Sequence, residues 1–326
     1  MKAIVQDRYG SAEVLELADI PVPVPGPAEV LVRVHAAGVH IGDWHLMAGL
    51  PSIGRLFGMG YRRPRTRVRG HEFAGRVEAV GPKVTGFAPG DEVFGVGTGA
   101  FAEYACARQD RIVARPAGLG VEQAAALPVS GQTALQGLRD TGGLKEGQRV
   151  LVIGAAGGVG SYAVQLARAL GAAEVTGVCS TGKVDLVRSL GADAVIDYTR
   201  EDFADAGPRY DLILDTAGNR PLPLLRRALA PDGTLVIVGG EGGSRFFGTL
   251  DRQLRASLLS PFIRQRLRTL VAADRAADLR ELAELVVAGR LVPAVERTYQ
   301  LSEVPEAIRH LEGGHARGKG VIAVNR

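Results

Sequence analysis

Cysteine is nearly absent from this 326-residue sequence, and the two that occur, Cys106 and Cys179, stand far apart. Without a CxxC pair or a group of four cysteines, neither a disulfide framework nor a cysteine-rich structural zinc site can be assembled. Long apolar runs are also lacking, since no stretch approaches the ~18 apolar residues that span a membrane. The opening residues MKAIVQDRYG contain no apolar core of a signal peptide. These absences predict a cytoplasmic protein without a membrane partner.

Neither sign of charge dominates, because 39 Lys and Arg face 35 Asp and Glu and leave a net charge of +4. That balance does not by itself indicate a nucleic-acid partner, and we predict none. The densest basic stretch is YRRPRTRVR, Tyr61–Arg69. Its proline and its alternation with small or apolar residues favour a solvated loop that leads into a strand. A polyanion patch, or a loop that helps to admit an anionic ligand, is the alternative.

The length of the chain predicts two domains. Roughly the first 118 residues are short segments of alternating apolar and polar residues, such as Glu29–Val39, separated by glycine and proline. Many short strands with turn signals between them predict a small, partly open β barrel.

Near Val121 the pattern changes to alternating strands and helices. This alternation predicts an α/β fold with a doubly wound parallel sheet that helices cover on both faces. In the tail, we predict a helix over Glu303–Leu311 that Ser302 caps, followed by a strand. The helices predicted before it are Val159–Leu170, Lys183–Leu190, Leu222–Leu229 and, by its periodicity, the whole of Arg252–Gly289.

The strongest motif is VLVIGAAGGVGSYAVQLA, in which an apolar strand runs into a glycine-rich loop and a helix follows at once. Small residues let the backbone approach a pyrophosphate, and the start of the helix offers it N–H groups and a partial positive charge. The pattern is AxGxxG rather than GxGxxG, and a tight turn without a ligand is the alternative. The predicted dinucleotide-binding residues are Ala155, Ala156, Gly157, Gly158, Val159 and Gly160.

The strand after this loop distinguishes NADPH from NADH. An NAD site usually places an acidic residue about 20 positions beyond the loop, where it holds the ribose hydroxyls. Here the corresponding segment is VCSTGK, and Asp185 already lies inside the next predicted helix. Ser180 and Lys183 can instead donate to a 2′-phosphate, which favours NADPH as the cofactor. Lys183 could also be an exposed cation at the start of a helix.

Taken in order, these motifs resemble the medium-chain dehydrogenase/reductase superfamily, in its zinc-independent quinone oxidoreductase-like branch. The resemblance implies a GroES-like catalytic domain, residues 1–120 and 290–326, around a Rossmann NADP-binding domain, residues 121–289. The cofactor is implied to lie in the cleft between them, and a homodimer through the Rossmann sheet edges is expected. The resembling segments span nearly the whole chain: AAGVHIGDW, GHEFAGRVEAVG, FAPGDEVFG, AAALPVSGQTAL, GAAGGVG, LGADAVIDYTRED and HARGKGVIAV.

The same resemblance implies further cofactor contacts. Tyr198, in IDYTRED, would join the serine and the lysine around the 2′-phosphate. Thr133 would approach the nicotinamide end. Gly218 and Gly239, after the fourth and fifth strands of the Rossmann domain, would let the cofactor pass close to the backbone, although each could also be an ordinary turn.

A GHE motif raises the question of a metal. Zinc-dependent alcohol dehydrogenases of this superfamily hold zinc with a cysteine, the histidine of GHE and a second cysteine. In this sequence His71 takes the histidine place, but His40 and Val129 stand at the cysteine places. Two imidazoles and Glu72 could still supply three ligands, with Asp43 supporting His71 from behind. We favour a metal-free, hydrogen-bonded cluster of His40, Asp43 and His71, with Glu72 neutralising charge.

The expected activity is metal-free hydride transfer from NADPH to a quinone, an α,β-unsaturated carbonyl or a similar activated double bond. Such substrates need little Lewis-acid help because hydride addition gives a delocalised anion. His40, with Asp43, is expected to donate a proton or stabilise an oxyanion, because histidine titrates near neutrality. Loops such as LMAGLPSIGRLFGMGY indicate a small, partly apolar substrate. The alternatives are a zinc-dependent alcohol or aldehyde dehydrogenase using His40, His71 and Glu72, and a non-catalytic NADPH-binding sensor.

Overall fold

The computed structural model describes residues 1–205, 210–239, 244, 246–248 and 250–324. Their contacts divide into two compact units. The first unit comprises Met1–Gln132, Asp274–Gly289 and Pro293–Arg326, and the second comprises Thr133–Ala273 and Arg290–Val292.

The described residues form strands separated by short helices and turns. The strands are β1 Lys2–Val5, β2 Glu16–Asp19, β3 Glu29–Val39, β4 Glu72–Val80, β5 Glu92–Val96, β6 Tyr104–Arg108, β7 Ile112–Ala114, β8 Arg149–Ile153, β9 Glu174–Cys179, β10 Ala194–Asp197, β11 Tyr210–Asp215, β12 Leu229–Ile237, β13 Arg266–Thr269, β14 Val295–Gln300 and β15 Lys319–Ala323. The α-helices are α1 Ile41–Ala48, α2 Val121–Ala126, α3 Pro128–Gln136, α4 Gly158–Ala169, α5 Val184–Ser189, α6 Leu222–Ala228, α7 Leu250–Leu259, α8 Ala276–Val287 and α9 Val304–Glu312.

The main sheet of the first unit is built around β3. On one edge β3 pairs with β4 along most of its length, and on the other it pairs first with β6 and then with β15. Val30, Val32 and Val34 alternate inward and are fully buried, which is what the period-2 pattern predicts. The β-rich character expected of this part of the chain is confirmed. At the end of β3, the start of β4 and the start of β15 lie side by side.

The second unit contains a six-stranded, all-parallel sheet in the order β10-β9-β8-β11-β12-β13. This is the order of a Rossmann sheet, so the predicted doubly wound fold is confirmed. The strand order reverses between β8 and β11, because β8 to β10 extend the sheet in one direction and β11 to β13 in the other. Ligands of such sheets bind at the carboxyl ends of the strands beside that point.

Residues 121–132 and 274–289 belong by contact to the first unit, whereas the sequence places them in the Rossmann domain. Helix α2 packs against β3 and β4, and α8 packs against β7. The side chain of Gln132 accepts a hydrogen bond from the backbone of Arg275 at 2.7 Å. These apolar helices therefore cover the β-rich unit, which a helical period alone does not reveal.

Two secondary-structure predictions were wrong. Arg252–Gly289 is not one helical stretch, because β13 interrupts it and pairs in parallel with β12. In β13 the buried Leu267 lies between exposed arginines, a period of two that is too short to stand out in a longer helical window. Ser302 does not cap the last helix. It lies inside a 3-10 turn, Leu301–Glu303, that precedes α9, and the backbone N–H of Gln300, just before that turn, donates to the side chain of Glu303.

The basic stretch that begins at Tyr61 is an irregular and largely exposed loop, as predicted. Its last residue differs, because Arg69 is only 6% exposed and donates to the carbonyl of Thr66. Among the residues that the structure describes, no helix is both long and apolar enough to cross a bilayer.

Candidate functional site

The polar cluster of the first unit begins where β3 ends and α1 starts. His40 is the N-cap of α1, and its Nδ1 accepts a hydrogen bond from the backbone N–H of Gly42 at 3.0 Å. In return, Oδ2 of Asp43 accepts from the backbone N–H of His40 at 3.0 Å. This reciprocal capping box fixes both side chains relative to the backbone. His40 and Asp43, for which a chemical role was predicted, thus also start a helix.

The capping bond determines the tautomer of His40. Because Nδ1 accepts, the ring proton of the neutral imidazole must be on Nε2. Burial lowers the pKa of His40 to about 3, which keeps the ring neutral at physiological pH. The expectation that His40 titrates near neutrality is therefore wrong, because charging the imidazole here would cost too much desolvation. What remains is an N–H donor rather than an imidazolium acid.

The Nε2 atom of His40 is buried and has no hydrogen-bond partner among the described residues. Its nearest carboxylate oxygen, Oδ2 of Asp43, is 3.6 Å away, too far for a hydrogen bond. Asp43 is 2% exposed, and its Oδ1 is also buried and has no partner in the described part of the chain. Burial raises the pKa of Asp43 to about 6, opposed by the hydrogen bond from the His40 backbone. Two buried polar atoms without described partners, Nε2 of His40 and Oδ1 of Asp43, therefore lie close together.

His71 completes the predicted cluster. Its ring stands edge-on to that of His40, with 6.2 Å between the ring centroids. His71 thus contacts the ring of His40, and Asp43 lies on the α1 side of His40.

Glu72 pairs with a lysine that the predicted cluster did not include. The side chain of Lys319 is 1% exposed and forms an ion pair with Oε1 of Glu72, while Nζ also donates to the carbonyl of Val39 at 2.9 Å. Oε2 of Glu72 accepts from the backbone N–H of Val129 at 2.8 Å. One ammonium therefore ties the end of β3 to the start of β4, next to His40 and His71. Lys319 was not predicted as a site residue. The signal that could have indicated it is its position as a charged residue in the otherwise apolar closing strand GKGVIAV.

Sterics explain the glycine beside this clamp. A Cβ at Gly38 would lie 2.6 Å from Oε1 of Glu72 and 2.5 Å from the carbonyl oxygen of Ala125. No larger residue fits there without moving either the carboxylate or α2.

The glycine loop of the second unit lies between β8 and α4. Gly154 has a φ of +82°, and a Cβ there would lie 2.6 Å from Oγ1 of Thr216. A Cβ at Gly160 would lie 2.1 Å from the carbonyl oxygen of Gly154, so the helix can pack against the loop only with glycine at that position. Ala155 and Ala156 are buried and pack inward.

The first turn of α4 supplies the polar part of the loop. Its N-cap, Gly157, has no side chain that could bond the helix start. The amides of Gly158, Val159 and Gly160 therefore have no partner within the helix. An anion gains from such amides and from the helix dipole. These residues fit a dinucleotide, which would supply redox chemistry at this edge of the sheet.

The end of β9 carries the residues predicted to select NADPH. Ser180 begins a 3-10 turn that ends at Lys183. The nearest acid, Asp197 at the end of β10, accepts bonds from Oγ1 of Thr181 at 2.6 Å and of Thr199 at 2.7 Å. The hydrogen bond from Thr181 is the largest of the effects that hold the pKa of Asp197 below its usual range. That carboxylate is thus bonded both to Thr199, which follows it, and to Thr181 on the turn after β9.

Tyr198 follows Asp197, and its backbone N–H donates to the carbonyl of Cys179 at 3.1 Å, which places it beside Ser180. The Tyr198 ring is half exposed, and the guanidinium of Arg220 lies 5.4 Å from its centroid. Sequence analysis missed Arg220 because it is distant in the chain and belongs to no motif.

The remaining predicted cofactor residues lie as follows. Gly218 has a φ of +69° and donates its N–H to Oδ1 of Asp215 at 2.9 Å, just beyond β11. A Cβ at Gly239, just beyond β12, would lie 2.5 Å from the carbonyl oxygen of Thr216. The positive φ of Gly218 and the close approach of the backbone at Gly239 therefore each favour glycine at the carboxyl edge of the sheet. Thr133 lies on α3 and is partly buried.

Comparison with known proteins agrees with both units. Residues 26–117 match the family model of the alcohol dehydrogenase GroES-like domain, and residues 190–322 match that of the zinc-binding dehydrogenases. A chloroplastic quinone oxidoreductase, QR1 of Triphysaria versicolor, is 34% identical over 99% of this chain and 98% of its own. The chain belongs to the medium-chain dehydrogenase/reductase superfamily. Its branch is the quinone oxidoreductase-like one that the sequence indicates.

Two further relatives illustrate the chemistry of this branch. A 2-methylene-furan-3-one reductase of Solanum lycopersicum is 32% identical over 99% of this chain and 79% of its own. The structure of Escherichia coli quinone oxidoreductase complexed with NADPH superposes with a TM-score of 0.85 at 25% identity, covering 99% of this chain and 100% of that one. The protein is therefore an oxidoreductase of the quinone oxidoreductase type.

One matched family is called zinc-binding, and the donor set decides whether zinc fits this chain. Zinc needs three or four open nitrogen, sulfur or oxygen donors. Both oxygens of Glu72 are bonded within the protein, and Nδ1 of His40 accepts the N–H of Gly42. Within the described ranges, no three His, Cys, Asp or Glu side chains are grouped so that they could hold a metal ion. These residues do not fit a zinc site.

Proposed function

We propose that this protein is an NADPH-dependent reductase of quinones, α,β-unsaturated carbonyls or similarly activated double bonds. The observation that carries this proposal is the buried, neutral His40, whose Nε2–H has no partner among the described residues. A donor left open in this way can meet negative charge that develops on a substrate oxygen. The names of the quinone and enone reductases among its relatives support the same substrate class.

The residues of the cluster have distinct parts in this reaction. When bound, the reduced cofactor supplies a hydride to an electron-poor carbon of the substrate. The Nε2–H of His40 donates to the oxygen on which charge then accumulates. Asp43, 3.6 Å from Nε2, can supply the proton that neutralises that oxygen because its pKa is about 6. We therefore expect kcat/KM to fall as the pH rises through about 6, where Asp43 loses this proton.

Lys319 and Glu72 support these groups without touching the substrate. Their ion pair and the bond to the Val39 carbonyl hold the residue before His40 and the residue after His71. His71 lines the cluster beside His40, and we assign it to substrate positioning.

NADPH rather than NADH is the proposed cofactor. No acidic residue ends β9, and the acid beside it, Asp197, is bonded to Thr181 and Thr199. Ser180, Lys183 and Tyr198 lie together at that strand end, with Arg220 over the tyrosine ring. Hydroxyl and cationic donors of this kind favour a 2′-phosphate.

The decisive experiment measures NADPH consumption with a panel of quinones and enones, comparing the wild type with His40→Asn. Asparagine keeps an acceptor for the Gly42 N–H but removes the Nε2–H donor. We expect kcat to fall by about 100-fold, the scale of losing one oxyanion donor, with the Kd of NADPH unchanged.

Turnover by His40→Asn at the wild-type rate would refute the assigned role. Binding of NADPH without turnover of any member of the panel would favour a non-catalytic sensor. A stoichiometric metal content that a chelator removes together with the activity would favour a zinc dehydrogenase.

The remaining parts of the proposal concern partners and location. We propose a cytoplasmic homodimer that takes a small, partly apolar substrate and binds neither nucleic acid nor membrane. Light scattering during size-exclusion chromatography tests the dimer, with twice the 34.3 kDa chain mass expected.

A further inference from the structure

A buried arginine at the carboxyl edge of the Rossmann sheet has two donors for which the protein provides no acceptor. Arg252, on α7, forms an ion pair through Nη2 with Oδ2 of Asp215, the last residue of β11. The Arg252 side chain is 12% exposed and that of Asp215 is fully buried. Nε and Nη1 of Arg252 are buried, and neither has a hydrogen-bond partner among the described residues.

Such an arrangement is costly unless a ligand completes it. A buried N–H left without an acceptor loses its hydrogen bonds to water and gains none in return, and most buried polar atoms in proteins avoid this. Asp215 does not relieve the cost, because it bonds the guanidinium only through Nη2, and its Oδ1 accepts from the N–H of Gly218 at 2.9 Å. The carboxylate thus fixes the guanidinium through Nη2, while Nε and Nη1 are buried without an acceptor among the described residues.

The location of Arg252 relative to the glycine loop indicates which ligand would reach it. The loop follows β8, and the residues proposed to hold the 2′-phosphate follow β9, on one side of β8 in the sheet. Asp215 ends β11, the neighbour of β8 on its other side. Thr216, the next residue, donates through Oγ1 to the carbonyl of Ile153 at 2.8 Å and so contacts the start of the loop.

A dinucleotide crosses a Rossmann sheet at this switch point, with its two nucleosides on opposite sides of the pyrophosphate. If the adenosine half lies over β9, the nicotinamide half extends over β11, where Arg252 stands. The charge of Arg252 is already balanced by Asp215, which suits a neutral oxygen acceptor better than a phosphate.

We propose that Arg252 binds the nicotinamide nucleoside half of the cofactor, donating from Nε and Nη1 to its carboxamide or ribose oxygens. Asp215 positions the guanidinium. This inference rests on the proposed function, because it needs a pyridine dinucleotide to be bound at the glycine loop.

The test measures binding rather than turnover. NADPH and 2′,5′-ADP, which lacks the nicotinamide half, are titrated by calorimetry into the wild type, Arg252→Lys and Arg252→Met. Lysine retains a charge for Asp215 but lacks the two planar donors. As a matched control, Arg255→Met changes an arginine on the same helix whose side chain is 78% exposed.

We expect Arg252→Lys to raise the Kd of NADPH at least tenfold while the Kd of 2′,5′-ADP stays within twofold, and Arg255→Met to change neither. An unchanged Kd for NADPH in Arg252→Lys would overturn the inference. Equal weakening of both ligands would also overturn it, because the arginine would then support the fold of the unit. If the wild type bound neither ligand, the proposed function would fail, and this inference with it. Should Arg252→Met fail to fold, the lysine variant alone decides.

Discussion

Replacing Asp43 by asparagine is expected to change how the stability of the first unit depends on pH. Asp43 has an ordinary pKa of 3.8 that burial raises to about 6, and His40 has an ordinary pKa of 6.5 that burial lowers to about 3. Between roughly pH 4 and 6, the folded protein therefore holds the proton of Asp43, whereas the unfolded chain holds that of His40. The numbers of bound protons are equal, so the pair contributes almost no slope in the wild type.

Taken separately, Asp43 and His40 change the free energy of unfolding with pH in opposite directions. The stabilisation from Asp43 is present below pH 4 and is lost as the pH rises through 6, because the folded state then carries a buried charge. That from His40 is present above pH 6.5 and is lost as the pH falls towards 3, because the unfolded imidazole then binds a proton that the folded one refuses. Removing one residue exposes the slope of the other.

In Asp43→Asn only the His40 difference remains, so the free energy of unfolding should rise with pH by about 1.4 kcal/mol per unit between pH 4 and 6. Relative to the wild type, the variant should gain about 3 kcal/mol across this window. His40→Asn should show the opposite slope, because it leaves Asp43 alone. Asparagine at either position can still accept the capping hydrogen bond.

The single tryptophan, Trp44, provides the assay. It lies on α1 next to Asp43 and stacks edge-on with the ring of His45, 4.9 Å between centroids, so its fluorescence reports unfolding of the first unit. Urea titrations at several pH values give the free energy of unfolding. Asp19→Asn, which changes an acid whose side chain is 75% exposed, is the control. Profiles of Asp43→Asn and wild type that run parallel from pH 4 to 6 would refute the reasoning.

Three further predictions concern the clamp and the cofactor site. Lys319→Met should cost about 3–5 kcal/mol in urea titrations because it leaves the buried Glu72 charge unpaired, and adding Glu72→Gln should recover most of that loss; equal stability of single and double variants would contradict this. Lys183→Ala should raise the Kd of NADPH about tenfold and leave that of NADH unchanged. An equal rise in both Kd values would show that the lysine does not bind the 2′-phosphate. Gly160→Ala should abolish NADPH binding and lower Tm, because its Cβ would lie 2.1 Å from a carbonyl oxygen, whereas Gly86→Ala, where a Cβ meets nothing within 4 Å, should do neither.

The strands and helices were predicted from sequence patterns that span only a few residues. The period-2 alternation of Glu29–Val39 coincides with β3, and the glycine loop lies between β8 and α4 as its motif requires. Such signals are readable because they reflect backbone sterics and side-chain direction within a few residues. Where the signal was short, as in the four residues of β13, the longer helical period around it misled the prediction.

The candidate site was predictable in its members but not in their chemical state. The motifs containing His40, Asp43 and His71 indicated a polar cluster, and the structure brings the three together. That His40 is a neutral donor depends on its burial and on which ring nitrogen caps α1, and neither is written in the spacing. Lys319 lies 247 positions after Glu72, and no motif links the two residues, so their ion pair could not be predicted from the sequence.

By itself, the sequence determined that this chain builds a Rossmann sheet with a glycine-rich loop and a separate β-rich unit, because glycine sterics and apolar periodicity act over short distances. The tertiary structure decided which groups are charged and which are open. It bonded Glu72 to Lys319 and Asp197 to Thr181, and among the described residues it left Nε2 of His40 and two donors of Arg252 without partners. Burial and long-range pairing set those properties, and both depend on residues that meet only when the chain has folded.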